Sequence, residues 1–242
     1  MKMKVALRYQ LHYQAISIAI FIAYFFLFAF IFPVSVALLS SRGVRINIDC
    51  FIATLIYILI LALIGVRKDF KLFIQNGMSR RHIFIATLMT ITIVAALLAL
   101  FVILLDKFSF SIRQSQFSYV NPITHIYGAV NFGQFFLLSW LVLLLMAACG
   151  LIVGIFIDRV RGILRLVIGA GIILVPVALS VAMQLLPVAA RTQMIRFVLD
   201  IVGLNTAKPH VGAPTMTCLV LTVLASAVVY LLNRRREIAR MN

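Results

Sequence analysis

Charge is scarce in this sequence. Only 12% of its 242 residues are Asp, Glu, Lys or Arg, while 64% are hydrophobic and the mean hydropathy is +1.15. A soluble domain is about one quarter charged, so this chain has too few charges to cover a water-facing surface. Acids are the scarcest, 6 against 22 Lys and Arg, for a net charge of +16. Cysteine is scarce too. Cys50, Cys149 and Cys218 form no C-x-x-C, which excludes a disulfide framework or zinc spacing by pattern. No H-E-x-x-H, G-x-S-x-G or phosphate-cradling G-x-x-x-x-G-K-[ST] occurs. The chain therefore has no route of its own to ATP hydrolysis through such a loop, and no constellation for an integral membrane enzyme. It has no internal repeat to support an inverted-repeat transporter.

What is present is long apolar runs. Six stand out, at about Ala15–Leu39, Cys50–Val66, Ile83–Leu105, Phe132–Ile157, Leu166–Leu186 and Pro214–Leu232, and none contains Asp, Glu, Lys or Arg. Each is long enough to span about 30 Å of hydrocarbon as a helix at about 1.5 Å per residue, the second only just. A helix is the open-chain structure that satisfies its own backbone in lipid. Strand alternation is absent, which argues against a barrel. The prediction is an all-α polytopic membrane protein: one transmembrane domain of six helices over residues 1–242, with short amphipathic interfacial helices. The first run exceeds the h-region of a signal peptide and no small-residue cleavage site follows, so it reads as a retained helix.

The cations sit in clusters between the runs, which favours an anionic membrane surface over nucleic acid. Of the 22 Lys and Arg, 15 fall before the first run, after the second and fourth, and in the tail. The acids divide evenly. The positive-inside rule then predicts both termini in the cytoplasm. Pro33 and Pro176 lie inside runs and are expected to bend their helices.

The most informative loop is Arg67 to Ile83, RKDFKLFIQNGMSRRHI. Phe70, Phe73, Ile74 and Met78 share one helical face. Gly77 is suited to a left-handed cap, and Ser79 to capping the next helix beside Arg80, Arg81 and His82. One reading is an interfacial helix lying on lipid; the other is a docking helix whose apolar face fills a partner's groove. Met1 to Tyr13 has a mixed pattern that fits either an interfacial elbow or a basic anchor. After the fifth run, Met194, Ile195, Val198, Ile201 and Val202 are spaced as a short outer helix, either an inert lid or a gate. Gly150 and Gly154 form a G-x-x-x-G pair that suits helix packing within the bundle or a contact between subunits.

Ion-coupled transport usually needs acids, His or Arg near the midplane, and the runs supply none of Asp, Glu, Lys, Arg or His. Their polar groups are hydroxyls and amides, among them Ser17, Tyr57, Thr90, Thr92, Ser139, Thr222 and Ser226. That lining suits a hydrophobic or amphipathic cargo, and helix–helix hydrogen bonding explains most of it equally well.

With these features the whole chain resembles the membrane subunits of type-2 ABC exporters, six-helix permeases of similar size with cytoplasmic ends. The sharpest local match is FKLFIQNGMSRRHIF, Phe70 to Phe84, similar to an aromatic-basic stretch ending in Gly-x-Ser-Arg between their second and third helices. The resemblance implies that this loop is a coupling helix seated in a separate ATPase. Contact would fall to Phe70, Lys71, Phe73, Ile74, Asn76, Gly77, Met78 and Ser79. It further implies an interfacial N-terminal helix, a second permease copy or homologue, and ATP and magnesium on the ATPase rather than on this chain. The peptide-exporting subset, such as the phenol-soluble-modulin exporters, is most similar in size. That implies a bacterial cell membrane and an amphipathic peptide cargo. The alternative function is a non-transporting membrane scaffold or immunity protein.

Overall fold

All six apolar runs fold as helix where they are described. The computed structural model of the chain describes residues 2–32, 35, 46–111, 117–119, 121–128, 130–159, 163–204 and 209–234. The helices are α1 (Lys2–Phe26), α2 (Cys50–Gln75), α3 (Arg80–Ser111), α4 (Pro122–Tyr127), α5 (Phe132–Arg159), α6 (Ile163–Leu185), α7 (Val188–Val202) and α8 (Gly212–Arg234). Past its end α1 widens into a π-helical segment, Leu27–Ile31. Among the described residues the one extended pairing is a three-residue parallel ladder of β1, Ile46–Ile48, with β2, Phe117–Tyr119. Pro33, and residues 36–39 of the first run, lie outside the described residues.

Among the described residues, five helices are long and apolar enough to cross a membrane: Met3–Ala29, Cys50–Gln75, Arg80–Lys107, Phe132–Asp158 and Gly212–Arg234. The fifth predicted run coincides with α6, which stays helical through Pro176.

Two expectations about local structure need correction. Residues 2–13 form no elbow, because α1 is one unbroken helix from Lys2. Residues 67–75 form no separate interfacial helix, because α2 runs on through them to Gln75. The reason is the same in both places. Lys, Arg and Gln are good helix formers, and neither stretch contains Gly or Pro. A charge ends an apolar run without ending the backbone ladder. The outer helix expected after the fifth run is present as α7, closed by Gly203 in the left-handed region at φ 74°. The far loop also carries α4, which the sequence did not reveal. Its Tyr127 hydroxyl donates to the Val202 carbonyl at 2.6 Å, and burial pushes that phenol above its ordinary pKa.

The core forms where α2, α3 and α5 meet. Ile58, Ala62, Val94, Leu98, Leu143 and Ala147 are buried there at 3% exposure or less. Glycine sets the closeness of α2 and α5. A Cβ added at Gly150 would lie 2.5 Å from the Leu59 carbonyl oxygen, and one at Gly154 would lie 2.9 Å from that of Leu63. The G-x-x-x-G pair is therefore occupied within the chain, and of its two readings the structure supports bundle packing. α8 packs on α5, and α1 lies against α3 and α2. Among the described side chains of α6, Leu174, Val175, Val177 and Leu179 are each more than half exposed.

Candidate functional site

The residues assigned to coupling lie at one end of the bundle. There the start of α1, the end of α2, the start of α3 and the end of α8 come together. Lys4, Arg8, Lys71, Arg80, Arg81 and Arg234 are exposed around them, so this is the basic end.

The α2–α3 turn is built as its residues dictate. Asn76 occupies the C-cap position of α2, and its Nδ2 donates to the Leu72 carbonyl at 2.8 Å. Gly77 follows with φ 69°. Its N–H donates to Ile74 O at 2.9 Å, and the Met78 N–H donates to Phe73 O at 3.0 Å. That pair of bonds is a Schellman closure, which satisfies carbonyls the helix end leaves open. Ser79 then caps α3, accepting at Oγ from the His82 N–H at 3.4 Å while its carbonyl accepts from the Ile83 N–H at 3.1 Å. The His82 ring bonds the same hydroxyl through Nδ1 at 2.6 Å. The two cap positions expected from sequence are both in place.

The apolar face of this segment is not open to a partner. Phe70, Phe73 and Met78 are buried with Ala6 of α1 and Ile83 of α3 in one cluster, with Ile74 partly buried beside them. The Tyr9 ring meets Phe73 edge-on, with centroids 6.3 Å apart. Of the eight residues assigned to docking, Lys71, Asn76, Gly77 and Ser79 are exposed, together with the neighbouring Gln75. The accessible surface is thus the polar and basic rim of the turn, and the aromatic residues form its backing.

A polar clasp fixes that backing. Gln10, 2% exposed, donates from Nε2 to Asp69 Oδ2 at 2.8 Å. Its Oε1 accepts from Thr90 Oγ1 at 2.9 Å, and the same hydroxyl reaches the Ala86 carbonyl at 2.8 Å. One amide therefore joins α1, α2 and α3. Further along α1, Ser17 Oγ accepts from Tyr57 OH at 2.9 Å, and Phe21 stacks on the Tyr57 ring at 4.1 Å. α8 is tied in separately. Arg80 Nη1 donates to the Arg234 carbonyl at 2.8 Å, placing a cation at a helix C-terminus where the dipole favours it. Asn233 Nδ2 reaches Arg80 O at 3.5 Å. A displacement at residues 71–79 would therefore be felt by α1 through Phe73 and Gln10, and by α8 through Arg80.

Gln10 and Asp69 were missed in the sequence because they interrupt an apolar pattern without forming one. The signal was a small and polar stripe, Ala6, Gln10, Gln14 and Ser17, at helical spacing between the two mixed faces of α1.

The clasp makes an unequal pair of energetic predictions. In Gln10→Leu, Thr90 keeps its bond to Ala86, while the Asp69 carboxylate loses a donor. Double-mutant cycles read by unfolding in detergent should therefore give about 1 kcal/mol for Gln10 with Asp69 and only a few tenths (~0.3) for Gln10 with Thr90. Equal couplings would contradict this geometry.

Comparison with models of protein families, with curated proteins and with solved structures returns no match to this chain.

Proposed function

We propose that this chain is the permease subunit of an ATP-driven exporter of the type-2 ABC class. In this reading it crosses a bacterial cell membrane six times, α6 supplying the span beyond the five already described, with both termini in the cytoplasm. It moves a hydrophobic or amphipathic cargo, foremost a peptide, outward from the cytoplasm or inner leaflet. A separate ATPase holds ATP and magnesium and closes on binding them. Two permease copies, or this chain and a homologue, complete the assembly.

One observation carries the reading. The α2–α3 turn presents an exposed polar and basic rim on a rigid backing that is bonded to the ends of three helices. A docking element that is to pass force into a bundle needs such a backing, because a turn free to pivot would absorb the motion itself. The cation bias supports the orientation, since the basic end would face the cytoplasm. The charge-free interiors of the runs support a cargo other than a small ion.

Lys71→Glu combined with Gln75→Glu tests the docking step. Both side chains are exposed, so the fold should be retained. Co-purification with an ABC ATPase encoded beside this chain should fall about five- to thirtyfold, since each like-sign or lost contact at a rim is worth roughly 0.5–1 kcal/mol. Undiminished ATPase binding by the double variant would remove the docking assignment. Binding without peptide-stimulated hydrolysis after reconstitution would favour a scaffold.

A further inference from the structure

Between α3, α5 and α8 the bundle has a crevice that no part of the docking argument uses. Its volume is about 130 Å³, and it is lined by Leu88, Thr92, Leu144, Ala148, Thr222 and Ser226 among others. An apolar cavity of about this size stays dry and accepts a small hydrocarbon such as benzene. Two of its three hydroxyls are already bonded. Thr92 and Thr222 are satisfied by the Leu88 and Cys218 carbonyls of their own helices, at 2.8 and 2.7 Å.

The helices are pinned on both sides of the crevice. Toward the basic end α3 and α8 are joined by the Phe84–Tyr230 ring contact, at 5.3 Å between centroids, and by the Arg80 bond to the Arg234 carbonyl. Toward the far end, Trp140 of α5 donates from Nε1 to the Thr92 carbonyl at 3.1 Å. The crevice lies between these contacts with α5 as its floor, and it opens partly to the outside with Leu88 37% exposed at its lip.

The ends of α3 and α8 beyond the Phe84–Tyr230 contact carry exposed cations. Arg80 and Arg81 begin α3, Arg234 ends α8, and all three are exposed. From Arg234 to Ser226 along α8 is about 12 Å, and from Arg81 to Leu88 along α3 about 10 Å, at the helical rise of about 1.5 Å per residue. Cations at headgroup depth and an apolar groove at acyl-chain depth thus lie on the same two helices. Basic pockets between membrane helices take anionic headgroups for this reason.

We infer that this crevice is a binding site for one anionic phospholipid. Its phosphate lies at the Arg80, Arg81 and Arg234 end, and one acyl chain occupies the groove between α3 and α8. The site stands on the membrane-spanning helices alone and does not depend on an ATPase partner.

The test is native mass spectrometry of the full chain released from nanodiscs holding equal amounts of phosphatidylglycerol and phosphatidylcholine. One retained phosphatidylglycerol per chain is expected. Arg81→Gln should lower the preference for phosphatidylglycerol about fivefold, because one cation near an anionic surface is worth roughly that factor. Ser226→Phe, which fills the groove, should abolish retention. Thr222→Leu is the milder filling variant and should reduce retention, whereas Leu221→Phe, on the exposed face of α8, should leave it unchanged. Retention of no lipid, equal retention of both lipids, or an Arg81→Gln variant with an unaltered preference would overturn the site. So would filled variants that keep their lipid.

Discussion

Gly150→Ala should destabilise the bundle by about 2 kcal/mol, and Gly150→Val by about 4 kcal/mol or more. The sign is not obvious, because alanine is the better helix former by about 1 kcal/mol. Sterics decide it. The new Cβ would lie 2.5 Å from the Leu59 carbonyl oxygen and 3.1 Å from the Ala62 Cβ. A backbone oxygen inside a helix cannot rotate aside, so α2 and α5 must separate along their contact. That loosens the pair that builds most of the core, at a cost near the upper end of the roughly 1–3 kcal/mol of overpacking. Gly169→Ala on α6 is the control, since nothing lies within 4 Å of a Cβ added there. It should be neutral, or stabilising by up to about 1 kcal/mol. Unfolding of wild type and the three variants in the same detergent, followed by circular dichroism, checks the order. A Gly150→Ala variant as stable as wild type would mean that α5 does not approach α2 this closely.

The contrast between these glycines shows what hydropathy could and could not reveal. All six runs became helices where they are described, because in each case apolar length leaves the chain few alternatives. Their ends were less legible. The second run stops at Val66 by composition, yet the helix continues to Gln75, because the stop signal is the Gly77 cap and not the first cation. Both caps of the α2–α3 turn were readable, since Gly77 and Ser79 carry their conformational and hydrogen-bonding roles in single residues. What covers the Phe70, Phe73 and Met78 face was not readable. An amphipathic pattern says that a face is buried without saying against what. Its cover, Ala6 and Tyr9, lies some 60 residues earlier in a stretch whose own pattern is mixed. Gln10 and Asp69 were hidden for the same reason, being a pair that only tertiary contact brings together.

Phe73→Asp is the sharpest consequence of that cover. Phe73 is 5% exposed in the cluster with Ala6, Phe70, Met78 and Ile83. Truncating a buried Phe to Ala costs about 3–5 kcal/mol, and a carboxylate in its place adds a desolvation penalty of several kcal/mol more unless it takes up a proton. The segment lies at the end of α2, so it can relieve that penalty by fraying toward water. Damage should therefore be local. Amide exchange should lose protection over residues 2–9 and 67–82, while the α2–α5 contact around Gly150 keeps its own. Gln75→Glu, two residues on but exposed, should change neither region. Uniform loss of protection across the bundle would show that the basic end and the core unfold as one unit. This separation also governs how partner binding is interpreted. An ATPase lost on Phe73→Asp would report a melted backing, whereas one lost on Lys71→Glu with Gln75→Glu, in a protein of unchanged exchange, would report the docking surface itself.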